Sequence, residues 1–508
     1  MSGEPTDSTV TPFPIPAGAK FGRVAVIDIG SNTLRLVVYD TPTRLPVPIF
    51  NEKANCALAS GLQQSGRLNP DGVVKAIRSL TRFVRLSEQM GVERLELVAT
   101  AAVREASDGL EFVARIEEVL GVAVQVVSGA EEARLAALGL LSGVPDADGL
   151  LADLGGASVD LVELNSGNFG ANATLPLGHL RLAEAAKGKA GRALKLVEGE
   201  MAGLGWLAGC RGGTLYAVGG ICRALARVLI EQVGYPLHVV DGYTMERRDA
   251  LRLTRLISGL GSGSLFNISG VSKRRIKSLP YCAMVLGALM ETAQPKYLTF
   301  SGFGMREGQL LKVLPESLRD QDPLLAGCAG MAERTGRFSI EGQEMFDWMA
   351  PLFPPDRDPH SRLRMAACML SDIGWSEHPD YRAEQTFLRV LRLPFAGLSH
   401  ADRVSLALAI FVSYNGHPDN AVVSPVRTLL DEEELARANV VGLALRLAHT
   451  VSGSAPGLLT QTKFERSGAE IILKLPDDPR ESDVFSSEAV ERRLGTLAKA
   501  LGGEGRLA

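Results

Sequence analysis

A chain of 508 residues, 46% of them hydrophobic, is long enough for about three globular domains, each with its own core. Its formal net charge of −4 excludes a globally basic nucleic-acid binder and leaves room only for a local basic groove. The six scattered cysteines form neither a C-x-x-C pair nor a zinc-ligand spacing, and no apolar stretch reaches the roughly 20 residues of a membrane span. Reduced core thiols and no stable membrane insertion are therefore expected.

Residues 1–20 are rich in Pro, Thr and Gly and lack the apolar run of a signal peptide. They read as a disordered tail. Val24–Asp28 is a short apolar strand ending at a glycine turn, and Leu34–Tyr39 is the second arm of a hairpin. Val73–Met90 has helical spacing, with Val73, Ile77, Leu80, Phe83 and Val84 on one broad face. A strand at Leu95–Thr100, a helix at Leu110–Leu120, a strand at Val122–Val127 and a helix at Glu131–Leu141 follow. Leu151–Gly156 is again a strand entering a glycine turn, with Val159–Leu164 as its return strand. Leu215–Gly220 is a third strand running into Gly-Gly, followed by a helix from Ile221 to Glu231. Tyr281–Met290 reads as a buried helix. Alternation of this kind predicts mixed α/β layers with ligands at the strand ends. Beyond about Pro315 the pattern is almost wholly helical from Asp322 to Thr450. Two short strands in Phe464–Leu475 and a closing helix at Glu488–Leu501 complete it.

Two of these segments repeat. Laid over one another, Asp28-Ile-Gly-Ser-Asn-Thr-Leu-Arg-Leu-Val37 and Asp153-Leu-Gly-Gly-Ala-Ser-Val-Asp-Leu-Val162 match at Asp28/Asp153, Gly30/Gly155, Thr33/Ser158, Leu36/Leu161 and Val37/Val162. Two related lobes, each giving one turn to a shared cleft, are the economical inference. A carboxylate at a strand end can hold Mg²⁺, often through water. Glycine lets backbone approach a phosphate, and successive turn N–H groups make an anion nest. Gly30, Ser31, Asn32, Thr33, Gly155, Gly156, Ser158, Gly219 and Gly220 are thus phosphate-cradle candidates, and Asp28 and Asp153 are metal candidates.

The residues carry a further signature. Asp28–Thr33, Thr100-Ala-Ala-Val-Arg-Glu-Ala106, Ser128-Gly-Ala-Glu-Glu-Ala-Arg134, Asp153–Ser158, Leu175–Gly178, Val218–Gly220 and Met305-Arg-Glu-Gly308 occur in this order. The combination resembles the exopolyphosphatase/guanosine pentaphosphate phosphatase family of the actin, sugar kinase and Hsp70 superfamily, over about residues 22–315. That resemblance implies an α/β fold of two actin-like (ribonuclease H-like) lobes, 21–141 and 142–315, around a central cleft. A mostly helical, degenerate HD-like domain at 316–455 and a small α+β segment at 456–508 would follow.

The resemblance puts a general base in the pair Glu131/Glu132, of which Glu132 lies at the better distance from the second turn. It makes Arg104 a clamp on two phosphate oxygens, and Arg275, in the basic run Lys273-Arg274-Arg275, part of a polyanion track. Family members carry a Glu just after the second turn. Asp160 stands there, with the charge kept and the reach one methylene shorter, as a third metal candidate. An HD metal site would want His where Ser371 stands, beside Asp372 and near His360 and His378, so that site reads as lost. The expected activity is Mg²⁺-assisted release of terminal phosphate from inorganic polyphosphate in the cytoplasm, by a homodimer and with no nucleic-acid partner. Hydrolysis of guanosine pentaphosphate in the same site is the nearest alternative. A non-catalytic sensor of guanosine tetraphosphate or polyphosphate is a further one.

Overall fold

The computed structural model describes residues 22–40, 44, 47–260, 273–335, 342–353 and 360–508. The expected tail, 1–20, lies outside them. The first lobe is a five-stranded sheet in the order β3-β2-β1-β4-β5. Its strands are β1 (Arg23–Ile29), β2 (Thr33–Tyr39), β3 (Pro48–Asn55), β4 (Val92–Ala99) and β5 (Val124–Val126). The first three are antiparallel, while β4 runs parallel to β1 and β5 to β4. Val24–Ile27 form an unbroken buried run, as suits a strand covered on both faces.

The second lobe repeats this sheet with β6 (Gly149–Leu154), β7 (Val159–Asn165), β8 (Asn168–Leu175), β9 (Thr214–Val218), β10 (Tyr243–Glu246) and β11 (Tyr297–Phe300). Its order, β10-β11-β9-β6-β7-β8, places β6, β7, β8, β9 and β11 where the first lobe has β1 to β5, with β10 added at the edge. The register repeats too. Asp28 pairs with Arg35 across β1/β2, and Asp153 with Asp160 across β6/β7. Each turn is closed by the same bond, Gly30 N to Thr33 O at 3.1 Å and Gly155 N to Ser158 O at 3.0 Å.

Two helices connect the lobes. Gly129–Gly143 leaves the first lobe and packs Ala133, Ala136, Ala137 and Leu140 on Leu151, Val162 and Leu164 of the second. Met305–Val313 returns, setting Leu310 against Val24, Val26 and Val37 of the first. The two helices meet almost backbone to backbone. A Cβ on Gly308 would lie 1.8 Å from Leu135 O, and one on Gly139 2.0 Å from Gly304 O. The lobe limit expected at 141/142 therefore falls inside the first of these helices, and that at 315 just past the second, each helix packing on the opposite lobe.

Helices between Pro323 and Ser452 share one core with a small sheet, β12 (Lys463–Ser467), β13 (Glu470–Lys474) and β14 (Glu504–Leu507), and with the helix Glu488–Ala500. Phe464, Leu473 and Leu494 pack into the cluster that holds Phe387, Phe411 and Leu445. Residues 456–508 thus complete the helical domain's core instead of forming a unit apart from it. The six cysteines are buried and unpaired. Among the described residues, no helix is long and apolar enough to cross a membrane.

Candidate active site

The two duplicated turns meet across the interlobe cleft. A Cβ built on Gly156 would stand 3.6 Å from Ser31 Cβ, so the turns approach tip to tip. The cleft between the lobes has a volume of about 510 Å³, and Asp28, Gly30–Thr33, Asp153, Gly155, Gly156, Ser158, Gly219, Gly220, Glu132 and Arg275 all line it. The third turn is built for close approach. Gly219 has φ +107°, and a Cβ there would lie 2.9 Å from Asp153 Oδ1 and 2.7 Å from Leu154 O. Only glycine fits that combination. Gly220 faces Arg275, whose Nη2 lies 3.4 Å from where a Cβ would stand. The side chains of Lys273 and Arg274 lie outside the described residues.

The glutamate pair divides by orientation. Ser128 caps the helix Gly129–Gly143. Its backbone N–H and its hydroxyl both donate to Glu131 Oε2, at 3.0 and 3.1 Å, and its Oγ accepts from Glu131 N at 3.2 Å. This capping box occupies the Glu131 carboxylate and leaves it outside the cleft. Glu132, one residue on, turns inward to the cleft wall. Arg104 Nη1 donates to Glu132 Oε2 at 3.0 Å and to Val127 O at 2.7 Å. Arg104 is therefore held against Glu132 and is not among the cleft-lining residues, which differs from the expected phosphate clamp. The reason is local: the short helix Ala101–Glu105 turns its guanidinium back toward β5 and the capped helix.

Asp160 also sits behind the wall. It is 3% exposed, its Oδ1 accepts from Thr174 Oγ1 at 2.6 Å, and it does not line the cleft. The shorter side chain stops at this neighbour. Burial, with Glu132 nearby, raises its carboxyl well above the ordinary range, which favours the protonated form.

Burial is the main cause throughout the site. It pushes Glu132 up to about 7 against the pull of Arg104, with Asp153 and Asp28 adding to the rise. It raises Asp153 to about 6, opposed by Arg223 and supported by Asp28. Asp28 is raised in the same way against Arg306 and Arg35. Three carboxylates crowd here.

Facing them are cations that the sequence reading did not assign: Arg35, Lys53, Arg223 and Arg306 line the cleft with Arg275. Burial lowers Arg35 to about 10, with Arg306 and Arg223 adding to the fall, so the guanidiniums repel one another. Arg306 Nη1 is buried with no hydrogen-bond partner. Five cationic side chains against three carboxylates, one with an unsatisfied donor, make a site suited to a polyanion. Signals for two of these residues were present. Arg35 sits inside the repeat at the position of Asp160, and Arg306 inside Met305–Gly308. Arg223, one turn past Gly219, and Lys53, on the edge strand β3, carry no local signature. His179, next to the Leu175–Gly178 stretch, also lines the cleft; burial, then Arg275, lowers it to about 4 and keeps it neutral.

In the helical domain, Ser371 is buried and its Oγ donates to Cys368 O at 2.8 Å, while His378 is exposed beside Asp380. Among the described residues no cluster of three or more His, Cys, Asp or Glu is placed to hold a metal ion. Asp28 and Asp153 still fit Mg²⁺, which commonly takes one or two carboxylates and fills its shell with water and phosphate oxygens. Asp28 raises the pKa of the buried Asp153, and a divalent cation relieves such crowding of carboxylates.

Two actin-like lobes around a cleft rich in arginine and carboxylate define a protein that handles phosphate groups. The chain belongs to the Ppx/GppA phosphatase family, whose model matches residues 37–317; a second model, described as exopolyphosphatase, C-terminal, matches residues 339–507. A Ppx/GppA family member from Aquifex aeolicus is 24% identical with a TM-score of 0.51, over 59% of this chain and 99% of that one. An exopolyphosphatase from Cytophaga hutchinsonii is 22% identical with a TM-score of 0.52, over 57% and 99%. At these identities the two structures speak to fold.

Proposed function

We propose that this protein is an exopolyphosphatase that releases orthophosphate from the end of inorganic polyphosphate, with Glu132 as general base. The observation that carries this reading is the position of Glu132. It is a cleft carboxylate fixed by Arg104, with its pKa pushed to about 7, facing the arginines of both lobes. A base of that strength is half ionised near neutral pH and well matched to proton transfer.

In the proposed step a water oxygen attacks the terminal phosphorus in line. Glu132 takes the water proton, and the bond from phosphorus to the bridging oxygen breaks. The electron pair leaves on the shortened chain. Arg35, Arg223 and Arg306 neutralise the phosphoryl oxygens as charge redistributes, and the turn N–H groups at 30–33 and 155–158 orient them. Asp28 and Asp153 would hold Mg²⁺, which when bound supplies further neutralisation of phosphate charge. Asp160 and Arg104 act on Glu132 from behind the wall.

Polyphosphate is favoured over a nucleotide because the described residues lining the cleft include no Phe, Tyr or Trp. A nucleobase is ordinarily held by apolar or aromatic surface, whereas a phosphate chain needs cations and donors. The match to the exopolyphosphatase C-terminal model supports the same choice. Phosphate release, measured colorimetrically with long-chain polyphosphate and with guanosine pentaphosphate under matched Mg²⁺, tests it. Faster release from polyphosphate is expected. Release from the nucleotide alone contradicts the substrate, and release from neither points to a binding protein.

A further inference from the structure

A polar network joins the helical domain to the cleft, reaching the cleft wall at Arg223. Its centre is Asp241, just before β10. Asp241 Oδ1 accepts from Gly302 N at 2.8 Å, and Gly302 O accepts from Arg223 Nη1 at 3.3 Å. Gly302 begins the short loop to the helix Met305–Val313. The rest of that loop is tied the same way: Phe303 N donates to Ser301 Oγ at 3.0 Å, and Gly304 N to Glu307 Oε2 at 2.8 Å. Two of the cleft arginines thus depend on this loop. Arg223 is bonded to it, and Arg306 is carried two residues beyond its end.

The other side of Asp241 is held by the helical domain. His400, at the start of helix His400–Ser413, places Nε2 3.1 Å from Asp241 O and Nδ1 3.0 Å from Tyr235 OH. A carbonyl can only accept, so Nε2 carries the proton and Nδ1 accepts from the tyrosine. Burial lowers the His400 pKa to about 4, which keeps the ring in that neutral form. Arg403, 1% exposed, donates to Leu393 O and Phe395 O and adds positive charge near the Asp241 carboxylate. The backbones come close as well. Gly242 has φ +78°, and a Cβ there would lie 3.0 Å from Leu398 O.

We propose that Asp241 is a positioning residue through which the helical domain fixes the Gly302–Gly304 loop, and with it Arg223 and Arg306, in the cleft. This rests on the phosphatase reading of the cleft. Asp241 touches no substrate. It acts by presenting one acceptor to Gly302 N–H while its own carbonyl is gripped by His400. A loop displaced by about 1 Å is enough to lower turnover strongly, because the arginines must meet charge that develops in the transition state.

Steady-state phosphate release from long-chain polyphosphate by the full chain tests the proposal with three proteins. Asp241→Ala is expected to lower kcat about tenfold or more with a smaller change in KM, the pattern of a lost transition-state interaction. Asp241→Asn keeps an oxygen facing Gly302 N–H and is expected to recover kcat to within about threefold of wild type. If circular dichroism shows Asp241→Ala unfolded, His400→Phe, which keeps the ring packing and removes the bond to Asp241, takes its place with the same expected fall in kcat. A folded Asp241→Ala or His400→Phe with wild-type kcat and KM overturns the proposal. So does a folded Asp241→Asn as impaired as the alanine variant. An inactive wild-type protein would instead count against the exopolyphosphatase reading, so the two failures are distinct.

Discussion

At the scale of single residues, the site turns on which glutamate faces the cleft. An ordinary glutamate base would be ionised well below neutrality. Burial raises Glu132 from 4.5 to about 7, and in the proposed step the ionised form is the active one. The rate should therefore climb with pH, and kcat/KM for polyphosphate is expected to show an ascending limb near pH 7. A limb near 4.5 would contradict the assignment. Arg104 lowers the Glu132 pKa, so Arg104→Met should move that limb to higher pH. A raised KM with an unmoved limb would restore the phosphate clamp. Glu131→Ala should cost about 1 kcal/mol in chemical denaturation through the lost cap while leaving kcat within about twofold. Much of this site was legible. Asp28, Asp153 and the glycine turns stood out because the chain states them twice. The cap role of Glu131 was missed, although Ser128 stands three positions before it. Arg223 was not readable, because an arginine one helical turn past a Gly-Gly pair has no pattern of its own until the loop at Gly302 folds onto it.

Secondary-structure elements show the same division. The strands with dense apolar runs, β1, β2, β6, β7 and β9, were read correctly. The edge strands β3 and β8 were not. Pro48–Asn55 alternates between exposed and half-buried residues, and Asn168–Leu175 buries only its last residue fully, so neither offers a hydrophobic signal. The connecting helices hold the functional consequence. Their crossing leaves no room at Gly139 or Gly308 for a methyl group, because the obstacle is backbone. Gly308→Ala is expected to destabilise the fold by about 1–3 kcal/mol in urea titration. It should also reduce turnover, since this contact sets how the lobes meet. A variant with unchanged stability and rate would show that the crossing is looser than the structure indicates.

Across the whole molecule, charge is distributed against its total. The chain is net negative, yet the cleft gathers five cationic side chains around three carboxylates. Glu132 and Asp153 have folded pKa values of about 7 and about 6, above ordinary values of 4.5 and 3.8. The folded state therefore binds more protons than the unfolded chain in this window. Those groups favour folding below about pH 4, and their contribution is lost as pH rises through 6 to 7. In chelator, the thermal midpoint should fall between pH 5 and pH 8, and Mg²⁺ should recover it at the upper end. A midpoint insensitive to Mg²⁺ at pH 8 would speak against Asp28 and Asp153 as its ligands. The helical domain is joined to this arrangement through Asp241, a connection that sequence could not show because its partners lie 61 and 159 residues away. The most direct test of the whole account is the turnover of Glu132→Gln on long-chain polyphosphate at saturating Mg²⁺. A fall in kcat of about 100-fold or more with little change in KM is predicted; a variant as fast as wild type would contradict it.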